Sequence, residues 1–144
     1  MKEYVISGLL LLSISSASWA NGSGLLESQG YSCVIMEVYF LMDTGSLDGG
    51  LEGGDYRKGK TFIIDRGTGR AIGAIKNYSD DYGDFQPTVL DRGDGTQYFK
   101  ALTLYGINFP AVELLVVQEF AESKQKPFMF TQNGQVTTGV CENI

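Results

Sequence analysis

The 144-residue sequence contains no histidine. That removes the usual general base, the usual zinc ligand and the imidazole half of Ser-His and Cys-His nucleophile pairs. Basic residues are in deficit, 11 against 17 acidic ones, for a net charge of −6. Such a chain is a poor nucleic-acid binder, and no stretch of it reads as a basic amphipathic helix for a membrane surface. Proline (3) and cysteine (2) are scarce. No two carboxylates stand at a spacing that announces a glycosidase pair. Gly67-x-Gly69 followed by Gly73 leads into a strand instead of a helix N-terminus, so it is no phosphate loop, and no cofactor is expected.

What is present begins with an address. Lys2, an apolar run over about residues 5–14 and the small residues before Ala20 form a secretory signal peptide, residues 1–20, too short in its apolar part to span a bilayer. No cysteine follows the cleavage point directly, so neither a lipid nor a stable membrane anchor is expected, and the product is read as periplasmic or secreted. Residues 21–144 then suit one domain, with 21–30 a polar, glycine-containing arm. Export carries Cys33 and Cys141 into an oxidising compartment, where a disulfide between them is expected.

The domain reads as all-β. Its apolar runs are short and rich in Val, Ile, Phe and Tyr, with 19 glycines between and within them. Residues 60–76 hold the clearest hairpin: two apolar runs flank Arg66-Gly67-Thr68-Gly69, a loop whose last residue must be left-handed. Counting outward sets Asp65 across from Arg70, Ile63 from Ile72 and Phe62 from Gly73. Asn133-Gly134 marks a second hairpin, in which pairing Gln132 with Gln135 sets Phe128 opposite Gly139. Residues 31–42 read as a well-covered strand, 43–58 as a long loop or ragged hairpin, 77–84 as loop, and 87–90 and 97–106 as strands around Asp94-Gly95. Residues 110–122 suit helix or strand. Strand is preferred, because Val112, Leu114, Val116 and Phe120 fall on one side at period two, with Glu113 and Glu119 on the other. The sum is an antiparallel meander of about eight strands, a barrel or strongly curled sheet, with a β-sandwich as the alternative and the first and last strands tied by the disulfide.

Phe62-x-x-Asp65-Arg66-x-Thr68-Gly69, Phe99-Lys100, Lys126-Pro127-Phe128-x-Phe130 and Thr138-Gly139-x-Cys141 together resemble a pattern in an uncharacterised family of small exported proteobacterial β-proteins. The resemblance implies a shared β fold and an extracytoplasmic address, and no activity.

Two stretches invite chemistry. Phe40 to Ser46, an apolar strand running into Asp43-Thr44-Gly45-Ser46, resembles the active-site turn of aspartic peptidases, which need two such aspartates and so would need a dimer here. Leu104-Tyr105-Gly106 resembles a second element of that family. The simpler reading of Asp43 is a strand end entering a turn. Asp80, Asp81 and Asp84 could ligate calcium, although the alternating ligands of an EF-hand loop are missing. Arg92-Gly93-Asp94 matches an adhesion tripeptide but reads as turn chemistry. The expectation is a non-catalytic exported β-domain that binds a protein partner or small ligand, for example an inhibitor of a cationic hydrolase. Tyr31, Tyr39, Tyr98 and Phe99 would pack its core or form a contact patch. The competing expectation is the dimeric peptidase.

Overall fold

A computed structural model describes residues 29–49, 56–79, 85–106 and 111–144. The expected signal peptide, most of the expected N-terminal arm and Asp80, Asp81 and Asp84 lie outside the described residues. Nine strands form among the described residues, all antiparallel: β1 (Gly30–Leu41), β2 (Leu47–Asp48), β3 (Thr61–Asp65), β4 (Ala71–Gly73), β5 (Thr88–Arg92), β6 (Tyr98–Tyr105), β7 (Ala111–Gln118), β8 (Lys126–Gln132) and β9 (Gln135–Asn143). Eight of them make one curled sheet, a half-barrel, in the order β4-β3-β1-β9-β8-β7-β6-β5, and β2 pairs with the upper end of β1. The run from β5 to β9 is a meander. β1 leaves that pattern, because it inserts between β3 and β9.

Turn chemistry sets the registers. Gly69 takes φ +76° and donates its N–H to the Asp65 carbonyl at 2.8 Å, so Phe62 lies opposite Gly73 and Ile63 opposite Ile72. Asn133 and Gly134 both take positive φ, which pairs Gln132 with Gln135 and sets Phe128 opposite Gly139. A side chain at Gly139 would start 2.0 Å from the Val34 carbonyl and 2.7 Å from the Phe128 ring, so only glycine fits beneath that ring. Gly30, expected in the arm, belongs to β1: a Cβ there would meet the Ile64 carbonyl at 2.4 Å. Residues 31–42 are covered on one side only, since Met36 and Leu41 are exposed and the register shifts between Ile35 and Glu37.

The concave side holds the core, built on Tyr31, Phe62, Ile64, Phe99, Leu115 and Phe130. Rings meet there edge-on and tilted, with centroids of Phe62 and Phe128 5.1 Å apart and of Tyr31 and Phe99 5.4 Å apart. Residues 111–118 are strand, as the period-two pattern implies, but it is the glutamate side of β7 that faces inward, Glu113 and Glu119 flanking Leu115 and Val117. Tyr31 and Phe99 are core residues, whereas Tyr98 stands on the outer surface.

No backbone ladder among the described residues joins β4 to β5. Side chains close that side instead. Asn77, buried, accepts from the Ala71 N–H at 2.7 Å and donates to the Gly69 carbonyl at 2.9 Å, and the Thr103 hydroxyl donates to the Asn77 carbonyl at 2.9 Å. Arg70 Nε donates to Gln86 Oε1 at 2.6 Å.

Cys33 and Cys141 face each other across β1 and β9 and form the disulfide, 108 residues apart in sequence. Replacing both with alanine is expected to cost about 4 to 5 kcal/mol in the chain-entropy account. Urea unfolding of the oxidised protein and the double variant measures this, and equal midpoints would show that the cross-link constrains nothing.

Candidate functional site

The interior has two polar poles, supplied by Glu113 of β7 and by Glu119, the residue that follows β7. Alternate residues from Glu113 to Glu119 point inward, and six residues of extended chain separate the two carboxyls by about 20 Å along the strand. Glycosidase carboxyls stand about 5 to 9.5 Å apart, so the two glutamates do not form such a pair.

At the lower pole Glu119 is 5% exposed and saturated with donors. Tyr31 donates its hydroxyl to Oε1, the Gly95 N–H donates to Oε2 at 3.0 Å, and Arg66 Nη2 lies 2.8 Å from each oxygen. The same guanidinium donates to the carbonyls of Arg92 and Gly93, both at 2.7 Å, and sits 5.6 Å from the Tyr31 ring centre. Burial pushes the Tyr31 hydroxyl well above the ordinary phenol range, and the hydrogen bond to Glu119 and its charge push further, so the hydroxyl stays a donor. Arg66 reaches this place because its turn is rigid. Asp65 Oδ1 accepts from both the N–H and the hydroxyl of Thr68 at 2.7 Å, the hydroxyl first among the causes that hold the Asp65 carboxyl below its usual range. Gly93 has no room for a side chain, since a Cβ would sit 2.3 Å from Glu119 Oε2. The Arg92-Gly93-Asp94 tripeptide is accordingly a turn: Gly93 takes φ +64° and Asp94 Oδ1 accepts from the N–H of Thr96 at 2.8 Å.

At the upper pole Glu113 is 1% exposed and meets only neutral donors among the described residues. The Tyr105 hydroxyl donates to Oε2 at 2.9 Å and Gln132 Nε2 donates to Oε1. Thr103 and Gln132 are its cross-strand neighbours, and the Phe85 ring packs 5.6 Å from the Tyr105 ring. Burial raises the Glu113 carboxyl above the ordinary range, only partly offset by the bonds from Tyr105 and Gln132.

Of the described residues singled out from sequence, Tyr31 and Tyr105 belong to these poles, and the catalytic candidate Asp43 lies elsewhere. Asp43 is exposed in the turn that follows β1, where Gly45 N–H donates to the Met42 carbonyl at 2.8 Å and the Thr44 and Ser46 hydroxyls share a bond of 2.8 Å. Leu104 and Tyr105 end β6, separated from β1 by β7, β8 and β9, about 19 Å along the sheet. No group of three or more His, Cys, Asp or Glu among the described residues could hold a metal ion. The described residues also contain no helix long and apolar enough to cross a membrane. Sequence reasoning missed Arg66, Glu113, Glu119 and Asn77 as interior polar groups. Their signal, glutamates at period two with Leu115 and Val117, competes with an equally good apolar row one residue out of phase.

Compared with protein families, curated proteins and solved structures, the chain matches none.

Each pole generates an expectation. Arg66→Ala leaves Glu119 buried without its cation and is expected to lower stability by about 3 to 5 kcal/mol in urea unfolding. A loss below 1 kcal/mol would mean that the pair is solvated like a surface one. Glu113 has the opposite sign. Its folded carboxyl is raised above the unfolded value of about 4.3, so the stability it contributes is complete below that pH and is lost as pH rises through the folded value. Glu113→Gln is therefore expected to be more stable than wild type at neutral pH, and the difference to vanish below about pH 4. Unfolding midpoints across a pH series check the sign.

Proposed function

We propose that this is a small exported β-domain that acts by binding through its surface and performs no catalysis, and that it belongs with the exported proteobacterial β-proteins whose turn and core motif it resembles. The observation that carries this reading is how the buried polar side chains are used. Asn77, Thr103, Glu113, Glu119 and Thr137 are the buried polar residues of the described interior, and each has its hydrogen-bond partners within the fold. They hold strand ends and turns together, and none is left aimed at a substrate. The disulfide is compatible with an oxidising, extracytoplasmic compartment.

The surplus of acid points to a cationic partner, which a net charge of −6 would draw in over a Debye length of about 8 Å at physiological salt. A cell-wall hydrolase such as lysozyme is the concrete case, with inhibition as the outcome. A small ligand would bind in a surface depression. The competing proposal, a dimeric aspartic peptidase, requires the exposed Asp43 to meet its counterpart.

Titrating the oxidised protein against lysozyme while following lysis is expected to show binding that weakens as salt rises, with lysis inhibited. Proteolysis at acid pH that disappears in Asp43→Asn would overturn the binding-domain reading in favour of the peptidase.

A further inference from the structure

The outer surface of the half-barrel is not uniform. On β6, β7 and β8 the inward residues Phe99, Ala101, Leu115, Val117, Phe128 and Phe130 are buried, so their alternates face out. Most of those alternates are also apolar, the exceptions being Lys100, Gln118 and Thr131. Cross-strand pairing lays Leu104 beside Val112, Leu102 beside Leu114, and Val116 beside Met129, in one contiguous field. Leu104 is 62% exposed and Val112 53%. Below the field Tyr98 and Phe120, both exposed, meet edge-to-face with centroids 4.9 Å apart. No acidic side chain lies within the field, although acids outnumber bases 17 to 11 in the chain. One cation stands inside it, Lys100, beside Val116 and between Tyr98 and Leu102, and it lies 3.9 Å from Asp91 on the neighbouring β5.

We infer that this face is where two copies of the chain associate, as a weak and reversible dimer. Charge selects the occupant. A cationic protein finds no attraction on a field without acids, so this face is not the one used under the reading above. Two molecules of net charge −6 repel each other everywhere except where charge is absent or balanced. A two-fold axis through the field matches apolar rows with themselves, and the Lys100 cation, balanced by Asp91 at the edge of the field, is compatible with its own copy.

Area sets the strength. Three strands at about 4.8 Å spacing and eight residues at about 3.4 Å give a flat footprint of about 400 Å². Side-chain relief enlarges that, but two convex faces meet along few strands. The contact falls at the small end of specific interfaces, below the roughly 800 Å² per partner of a standard one. It is nevertheless comparable to the largest apolar patch of a monomer, about 300 to 600 Å², which is commonly functional.

Sedimentation equilibrium of the oxidised full-length exported protein, from micromolar to millimolar concentration, tests this. The average mass is expected to climb toward twice the monomer value, and the climb to steepen as salt screens the mutual repulsion. Val112→Glu and Leu104→Lys, each checked for unchanged circular dichroism, are expected to hold the protein monomeric, so that failure of one to fold leaves the other. Ile72→Glu, on the outward face of β4, is expected to change nothing. A mass that stays monomeric at every concentration overturns the inference. So does a dimer that survives both field variants, or one that Ile72→Glu abolishes. Wild-type binding to phosphatidylcholine vesicles at concentrations where no dimer forms would assign the face to lipid instead. Because lysozyme binding weakens with salt and self-association strengthens, either can fail without the other.

Discussion

One guanidinium holds the ends of this sheet together. The curl brings the β3–β4 hairpin against β5 and β6 without extending the backbone ladder across the gap, and Arg66 reaches over to the carbonyls of Arg92 and Gly93 and to the carboxyl of Glu119. Each partner is constrained in return. Gly93 must be glycine because Glu119 occupies the space of its side chain, and Tyr31 must bring a hydroxyl because the same carboxylate faces it. A charge pair so placed costs desolvation of both ions, and the extra donors of Tyr31 and Gly95 offset that cost. Uniqueness of curvature is the return: apolar packing alone would tolerate a range of openings, whereas a guanidinium with fixed acceptors tolerates one.

The two poles solve one problem differently. Glu119 stands against the Arg66 guanidinium, while Glu113, which meets phenol and amide donors among the described residues, is biased toward holding its proton. The arrangement leaves the interior anchored at both ends by side chains of β7 and the residue that follows it. It also explains why a residue type that is rarely buried stands twice in an interior made mostly of aromatic and aliphatic groups.

The sequence made the hairpins legible wherever local backbone rules decide them. Gly69 and Asn133-Gly134 specify turn conformations, and register then follows by counting, so Phe62 across from Gly73 and Phe128 across from Gly139 were readable without any long-range information. The disulfide was readable from the expected export and the count of two cysteines. The facing of β7 was not. Val112, Leu114 and Val116 alternate with Glu113, Leu115 and Val117, and both rows satisfy period two. What decides between them is Arg66, 53 residues from Glu119, and Gln132, 19 residues from Glu113. Asn77 was hidden for a similar reason: a polar residue opening a polar stretch looks like loop, and only the unpaired edge of β4 gives its amide a buried task. The functional candidate Asp43-Thr44-Gly45 is a motif whose meaning lies in a symmetric partner, which one chain cannot display.

The position of β1 has a temporal consequence. Its long ladder runs to β9, and the two are locked through Cys33 and Cys141, while the backbone of Ile144 donates to Gly30 at 3.1 Å. β1 therefore waits for β9, the first of the described strands for the last. Hairpins such as β8–β9 can form as soon as their turns exist, but the seam between β1 and β9 closes only once β9 has been made. That pairing is non-local, and closing so long a loop is slow beside the hairpins. Until that seam closes, β4-β3-β1 and the β5 to β9 meander are two separate sheets.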